Sequence, residues 1–268
     1  MSKPITIHQA AEKAQQLEFI NQLIESYPHQ IQGSEISVMS SLMAKLSGDI
    51  AVFLIEVIAG EEAIDNTSHC SDMSTVQVGQ SDYLTNKGLQ CPHQRLLKDG
   101  SLLLVMQALD GTVTGAQTIK PNGEKRLVSG SQKKGSFIPL SEITGTSDTF
   151  IITEGYATAL TVSQLHDGVV LAAIDEGNLF AVAGHVRERC PDAKIILAAD
   201  NDMKSGHKNV GKISAEKAAK SVRGWVTLPP TEEKADWDDY RQRHGIEAAK
   251  QAFSNGLYQV GKKNQCQW

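Results

Sequence analysis

Residues 150–162 read FIITEGYATALTV, and this stretch decides the architecture of the C-terminal half of the 268-residue chain. Thr149–Thr153 is apolar or β-branched throughout, the composition of a strand buried on both faces. Glu154-Gly155 ends the run, and Tyr156–His166 reads as a helix. The unit then repeats. Strands are predicted at Val169–Ala173, Lys194–Ala199 and Gly224–Leu228, with helices at Leu179–Arg189, Ser214–Ser221, Trp237–Arg243 and Ile246–Phe253. Strands alternating with helices predict an α/β domain: a parallel sheet with helices on both faces.

Upstream, the period changes. Ser101–Leu109 reads as a strand, Asp110-Gly111 as a turn, and Val113–Ile119 as its returning partner. Pro121-Asn122-Gly123 makes a second turn before strands at Lys125–Val128 and Ser136–Leu140, so a small antiparallel β-rich subdomain is expected. Further upstream, apolar residues at near-helical period over 6–28 predict one helix, stopped by Pro28 and the polar stretch His29–Ser34. Ile36–Leu46 predicts a second, and Asp49 is placed to cap a third from Ile50. The Ser-, Thr- and Asp-rich stretch 65–82 reads as a linker or exposed loop. The expected organisation is an N-terminal helical region (1–66), a linker (67–82), the β-rich subdomain (83–146) and the α/β domain (147–268).

Composition narrows the class. With 40% hydrophobic and 21% charged residues the chain has the make-up of an ordinary soluble domain. No run of about 18 apolar residues occurs and the N-terminus lacks a secretory signal, so no membrane span and a cytoplasmic location are expected. Cys70, Cys91, Cys190 and Cys266 are scattered without a CxxC pair, which suggests neither a disulfide framework nor a zinc ribbon. His69-Cys70 with Cys91-Pro92-His93 offers four zinc-compatible ligands, but both pairs lack the usual two-residue spacer. The net charge of −5 argues against coating nucleic acid by electrostatics alone, and leaves room for an acidic metal site beside a local basic strip.

In open parallel sheets functional groups gather where strand carboxyl ends lead into helices. Three acidic groups fall at such places: Glu154-Gly155, Asp200-Asn201-Asp202 after KIILAA, and Asp236-Trp237-Asp238-Asp239 after VTLPPTEEKA. Carboxylates on neighbouring strand ends repel one another unless a cation sits among them. Hard oxygen donors in this arrangement suit Mg²⁺, which keeps several waters and reaches substrate phosphates. Taken singly, Glu-Gly is also a simple turn and Asp-x-Asp also a helix cap; their ordered succession is the specific signal.

The stretches FIITEGYATALTV (150–162), KIILAADND (194–202) and KADWDDY (234–240) resemble the Toprim domain shared by primases, type IA and II topoisomerases and some nucleases. The likeness is closer to Toprim primases of phages and conjugative plasmids. Residues 99–140 resemble the half of the primase core that precedes Toprim, so the likeness runs over roughly 80–255. It implies Glu154 as metal ligand or general base, and Asp200 and Asp202 as ligands of Mg²⁺ or Mn²⁺. Asp236 and Asp238 would complete or tune the site, with helix capping the other reading of that pair. A second constellation is basic: Lys120, Lys125, Arg126, Lys133 and Lys134, with Gly130 and Gly135 between them. Lys125 and Lys134 match lysines that face nucleotide or template in such primases, and phosphate contacts of this kind position without reading sequence. A solvated hairpin edge protected by lysines is the other reading.

Two further segments stay open. Met203–Gly211 is a loop that closes over a phosphate through Lys204, His207 or Lys208, or a solvated connection. Asp175-Glu176-Gly177-Asn178 lines the cleft or caps a helix. Neither the family's zinc module nor a helicase P-loop (GxxxxGK[ST]) is evident. The expected activity is synthesis of short primers on single-stranded DNA from nucleoside triphosphates, in replication of a mobile element. The N-terminal helices are expected to meet a replicative helicase or another replication protein. The alternatives are a Toprim metal-dependent nuclease and a non-catalytic DNA- or partner-binding accessory protein.

Overall fold

The structure is a computed structural model that describes residues 6–25, 33–65, 76–141, 143, 148–203 and 208–261. Its contacts divide the chain into two compact units: one from Ser2–Ser81 with Pro92–Ser131, the other from Asp82–Cys91 with Gln132–Trp268.

The first unit joins two helices, α1 (Ile7–Glu25) and α2 (Gly33–Asp65), to an antiparallel sheet of five strands. The strands β1 (Val76–Gly79), β2 (Gln94–Leu97), β3 (Leu102–Gln107), β4 (Val113–Ile119) and β5 (Lys125–Leu127) lie in that order. Turn chemistry sets the meander. Gly111 takes φ 86° while the Asp110 carboxylate accepts the Thr112 N–H. Gly123 takes φ 88° while the Asn122 side chain accepts the Glu124 N–H. Leu97, Leu103, Ala116 and Val128 form a core cluster against which Ile55 packs.

Three expectations fail in this unit. The stretch predicted as helices at Ile36–Leu46 and from Ile50 is one helix through Asp65. Asp49 does not start a helix; it pairs with Lys13 at 2.7 Å, and Glu56 pairs with Arg95 at 2.9 Å. Within the continuous helix, Glu35–Val57 is long and apolar enough to cross a membrane by length and composition alone. Val76–Gly79, read as linker, is a strand. Its register against β2 (Val76↔Leu97) comes from a partner distant in sequence, which polar local composition concealed. Residues 66–75 of the expected linker, and the expected break at 26–32, lie outside the described residues.

The second unit holds α3 (Asp82–Asn86), β6 (Ile138–Pro139), β7 (Thr149–Thr153), α4 (Tyr156–Leu165) and β8 (Val169–Ala172). A 3-10 turn at Glu176–Asn178 leads into α5 (Leu179–Arg189) and β9 (Lys194–Ala198). Then follow α6 (Val210–Ser221), β10 (Trp225–Thr227), α7 (Trp237–His244) and α8 (Ile246–Asn255). The sheet order is β10-β9-β7-β8-β6, parallel except for the short edge strand β6. This is the expected α/β architecture of a parallel sheet flanked by helices. Ile151, Ile152, Leu171, Ile195, Ile196 and Leu197 are fully buried in the strands, as sheets covered on both faces require. Helices α4, α7 and α8 pack together, and α5 packs with α6.

Candidate active site

Parallel register fixes where the acidic groups go. Thr153 lies opposite Ala172 on one side and Ala198 on the other. The residues that leave β8, β7 and β9 therefore emerge along one carboxyl edge: Asp175, then Glu154, then Asp200 and Asp202. Glu154, Asp200 and Asp202 are each half-buried.

The Asp-Asn-Asp loop is held by its middle residue. Asn201 is buried, and its amide donates to the Thr231 carbonyl (2.7 Å) and the Thr231 hydroxyl (3.0 Å). Its own carbonyl accepts the Asn209 amide at 2.6 Å, and Asn201 bridges Ala235 through backbone bonds. With Asn201 turned inward, Asp200 and Asp202 flank it half-buried, and Asp200 Oδ1 is itself buried. Asn209 caps α6 by accepting the Lys212 N–H, and the same oxygen accepts the Asp202 N–H. The Gly211 N–H then donates to Asp202 Oδ2 at 3.1 Å. A Cβ on Gly211 would stand 2.5 Å from the Asp200 carbonyl and 2.9 Å from Asp202 Oδ2, so only glycine fits. The expected start of this helix at Ser214 is corrected to Val210, one turn earlier, because Asn209 supplies the cap.

Opposite these carboxylates stands Lys234, whose Nζ lies 2.6 Å from Asp202 Oδ1. The hydrogen bond to Asp202 raises the pKa of this ammonium above its ordinary value, and the charges of Asp202, Asp200 and Glu154 add to the effect. Three carboxylates from two strand ends thus act on one cation. Among the described residues no three His, Cys, Asp or Glu side chains converge into a ready-made chelate. Mg²⁺ does not need one, since it keeps much of its water and takes one or two carboxylates. The donors fit such an ion: they are hard oxygens already gathered about a positive charge. Glu154, Asp200 and Asp202 are the residues that would hold it.

Asp236 and Asp238 lie in a different setting. Asp236 accepts the Asp239 N–H at 2.7 Å while the Asp239 side chain accepts the Asp236 N–H, a capping box at the start of α7. Burial pushes the Asp236 carboxyl up, and the Asp239 N–H and Lys87 pull it back. Asp238 is fully buried. It accepts hydrogen bonds from Thr161 (2.9 Å), Arg241 (2.8 Å) and Gln242 (2.8 Å), with the Lys87 ammonium 3.7 Å away. Of the two readings open for Asp236, capping is what it does here.

The expected basic residues divide between the two units. Lys120 (3.0 Å) and Arg126 (2.6 Å) both pair with Glu124 inside the β4–β5 hairpin, and Lys125 is exposed on the edge strand. Lys133 and Lys134 belong to the other unit, where Lys133 pairs with Asp175 and Lys134 is exposed. Lys204 and His207 lie outside the described residues, and Lys208 is exposed. Of the zinc-compatible set, His69 and Cys70 lie outside the described residues; Cys91 is half-buried, and burial pushes its thiol up.

Sequence reading missed Lys234, Asn201 and Asn209. A lysine in TEEKAD carries no local signal, because its role depends on a strand end more than thirty residues earlier. Asn209 had one: an Asn three residues before a run of helix formers is a cap signature.

Comparison with known proteins gives this geometry a context. Residues 149–247 match the Toprim domain family. Two curated relatives, both DNA primase TraC of Escherichia coli, align with the chain. One is 34% identical over 155 residues, 55% of this chain and 14% of the relative. The other is 30% identical over 199 residues, 71% of this chain and 14% of the relative. The chain therefore spans about one seventh of the length of these relatives. Among solved structures, a DnaG primase catalytic domain bound to single-stranded DNA is 13% identical, with 92% of this chain and 80% of that chain covered and a TM-score of 0.45.

Proposed function

We propose that this chain, which carries a Toprim domain at residues 149–247 and is related to plasmid-type primases, joins nucleotides into short primers on single-stranded DNA. The observation that carries the proposal is the placement of Glu154 and of Asp200-Asn201-Asp202 at the carboxyl ends of the adjacent parallel strands β7 and β9, with Lys234 paired to Asp202.

The reaction is attack of a primer 3′-hydroxyl on the α-phosphate of a nucleoside triphosphate, with pyrophosphate as leaving group. A bound Mg²⁺ or Mn²⁺ supplies neutralisation of phosphate oxygens and lowers the pKa of the attacking hydroxyl. Asp200 and Asp202 would hold the ion. Asn201, Asn209 and Gly211 fix their orientation, so little reorganisation remains at the moment of reaction. Glu154, one strand over, binds the same ion or accepts the hydroxyl proton. Lys234 is 60% exposed, so its ammonium is free to leave Asp202 for a phosphate oxygen. Exposed Lys125 and Lys134 supply contacts to template or nucleotide phosphates. Exposed apolar residues on the N-terminal helices (Phe19, Val38, Leu42 and Leu54) offer a surface for a helicase or another replication protein.

A template-directed primer assay on the full chain with Mg²⁺ or Mn²⁺ tests the proposal. Glu154→Gln and Asp200→Asn are each expected to lose about a hundredfold or more in rate while melting as the parent does. Undiminished synthesis by both removes the mechanism. Labelled DNA that shortens with Mn²⁺ and no nucleotides turns the same carboxylates into a nuclease site instead.

A further inference from the structure

The helices α5 and α6 lead from β8 and β9, the two neighbours of the strand that delivers Glu154. They also carry the apolar exposure of the second unit. Among its described residues, the exposed large hydrophobic side chains are Phe180, Met203, Val210 and Ile213. Phe180 lies in the first turn of α5, Val210 and Ile213 in the first turn of α6, and Met203 directly after Asp202. None takes part in the chemistry proposed above. Apolar exposure gathered in one place, while the rest of the unit covers its large side chains, marks a surface with an occupant.

Helical spacing produces the arrangement. On α6, Gly211, Ala215, Ala218 and Ala219 are buried, and Val210, Ile213, Lys217 and Lys220 form the opposite, exposed row. The Lys217 ammonium lies 5.7 Å from the centre of the Phe180 ring, which joins this row to α5. Gly184, one turn beyond Phe180 on the same face, is not required by packing: a Cβ there would meet nothing within 4 Å. Glycine destabilises a helix interior relative to alanine, and here it leaves clear space beside an exposed ring. Charge follows the same row. Helix α6 holds Lys212, Lys217 and Lys220 against one acidic residue, Glu216, and that carboxylate accepts the Tyr258 hydroxyl at 2.8 Å with Lys212 3.9 Å away. Lys208 is exposed just ahead of the helix, and Glu188, two turns beyond Phe180, borders the face.

We propose that Phe180, with Val210 and Ile213 on the neighbouring helix and Lys217 and Lys220 along it, is a stacking platform for the bases of single-stranded DNA, separate from the metal edge. Unpaired bases stack on an aromatic ring while ammonium groups take the phosphates, and this face offers both. A duplex hides its bases, and an apolar protein partner has no need of the cations. The inference rests on the reading that the chain works on single strands.

The test is fluorescence anisotropy of a labelled oligothymidylate and of an abasic strand of the same length, titrated with the full chain in EDTA. The parent is expected to bind the base-bearing strand about tenfold more tightly than the abasic one. Phe180→Ala is expected to lose that difference and Phe180→Trp to keep it. Phe180 is 49% exposed, so both variants are expected to melt as the parent does. Lys217→Gln with Lys220→Gln is read by salt dependence, because removing Lys217 also uncovers the ring. The slope of log affinity against log salt is expected to shrink by about 0.7 per lysine. Equal binding of the two strands by the parent, parent-like binding by Phe180→Ala, or an unchanged salt slope overturns the inference and leaves the primase mechanism standing. Self-association of the parent that Phe180→Ala abolishes, with DNA binding unchanged, also overturns it. Undiminished primer synthesis by Glu154→Gln and Asp200→Asn is a failure of the mechanism alone, since the anisotropy titrations contain neither metal nor nucleotide.

Discussion

Asp200-Asn201-Asp202 and Asp236-Trp237-Asp238 share the pattern Asp-x-Asp, follow strands of the same sheet, and come to rest in opposite environments. The middle residue separates them. Asn201 is polar and bonds inward to Thr231 and Asn209, while its flanking carboxylates stay half-buried at the strand end and Asp202 pairs with Lys234. Trp237 is apolar and fully buried, its ring 5.0 Å from that of Phe253 and 6.0 Å from that of Tyr240. At the first turn of α7 that burial carries Asp238 inward with it, to Thr161 on α4 and to Arg241 and Gln242 on its own helix. Spacing of carboxylates alone does not decide between a half-buried strand end and a fully buried structural cluster. The residue between them and the backbone beneath them do.

Breaking that contrast gives the largest effect at the buried pair. Asp238→Ala leaves the Arg241 and Lys87 charges without their buried partner and is expected to cost about 3–5 kcal/mol in urea denaturation. Asp200→Asn, at the half-buried strand end, is expected to change stability by less than about 0.5 kcal/mol. A loss under 0.5 kcal/mol in both variants would erase the distinction. Asp236→Ala removes one half of a capping box and is expected to cost about 1 kcal/mol. A Tm equal to the parent's would show that the cap adds nothing.

Lys234→Met sharpens the comparison from the other side. Its pair with Asp202 is largely exposed, so removing the tethered ammonium frees the carboxylates at small cost. Mn²⁺ is expected to bind about two- to fivefold more tightly by calorimetry. Unchanged or weaker binding would mean that the ammonium does not stand where the ion goes. The smallest effect concerns His166, at the end of α4, whose Nδ1 accepts the Gly168 N–H at 3.0 Å. Burial, with Lys194 adding and Asp167 opposing, holds this imidazole below its ordinary value of 6.5. The unfolded chain therefore takes up the proton first as pH falls, and stability present above about 6.5 declines below it. His166→Asn is expected to flatten that part of the Tm profile; a profile identical to the parent's would assign the slope elsewhere.

Much of the α/β unit was legible because its signals are local. Apolar runs such as Phe150–Thr153 and Ile195–Ala199 are buried strands wherever they sit, and the turn residues of the β3–β4 and β4–β5 hairpins act through their own backbone. The strand β1 was not legible, since Val76–Gly79 owes its state to pairing with β2. The long helix α2 was misread because Asp49 looks like a cap in isolation, whereas Lys13 claims it for an ion pair across to α1. The placement of the candidate residues was legible as well: Glu154, Asp200 and Asp202 follow neighbouring strands of one sheet, as their positions after apolar runs predict. The difference between Asp200 and Asp236 was not, because it depends on where Asn201 and Trp237 find partners.

What the sequence determined by itself was the order of strands and helices and the residues that leave each strand, since periodicity and turn chemistry act over a few neighbouring positions. Only the tertiary structure decided which charges share a place. Lys234 meets Asp202, Asp175 meets Lys133, and Asp238 meets Thr161, each across 32 or more residues of chain. Such meetings follow from parallel register and helix packing, which no local stretch encodes.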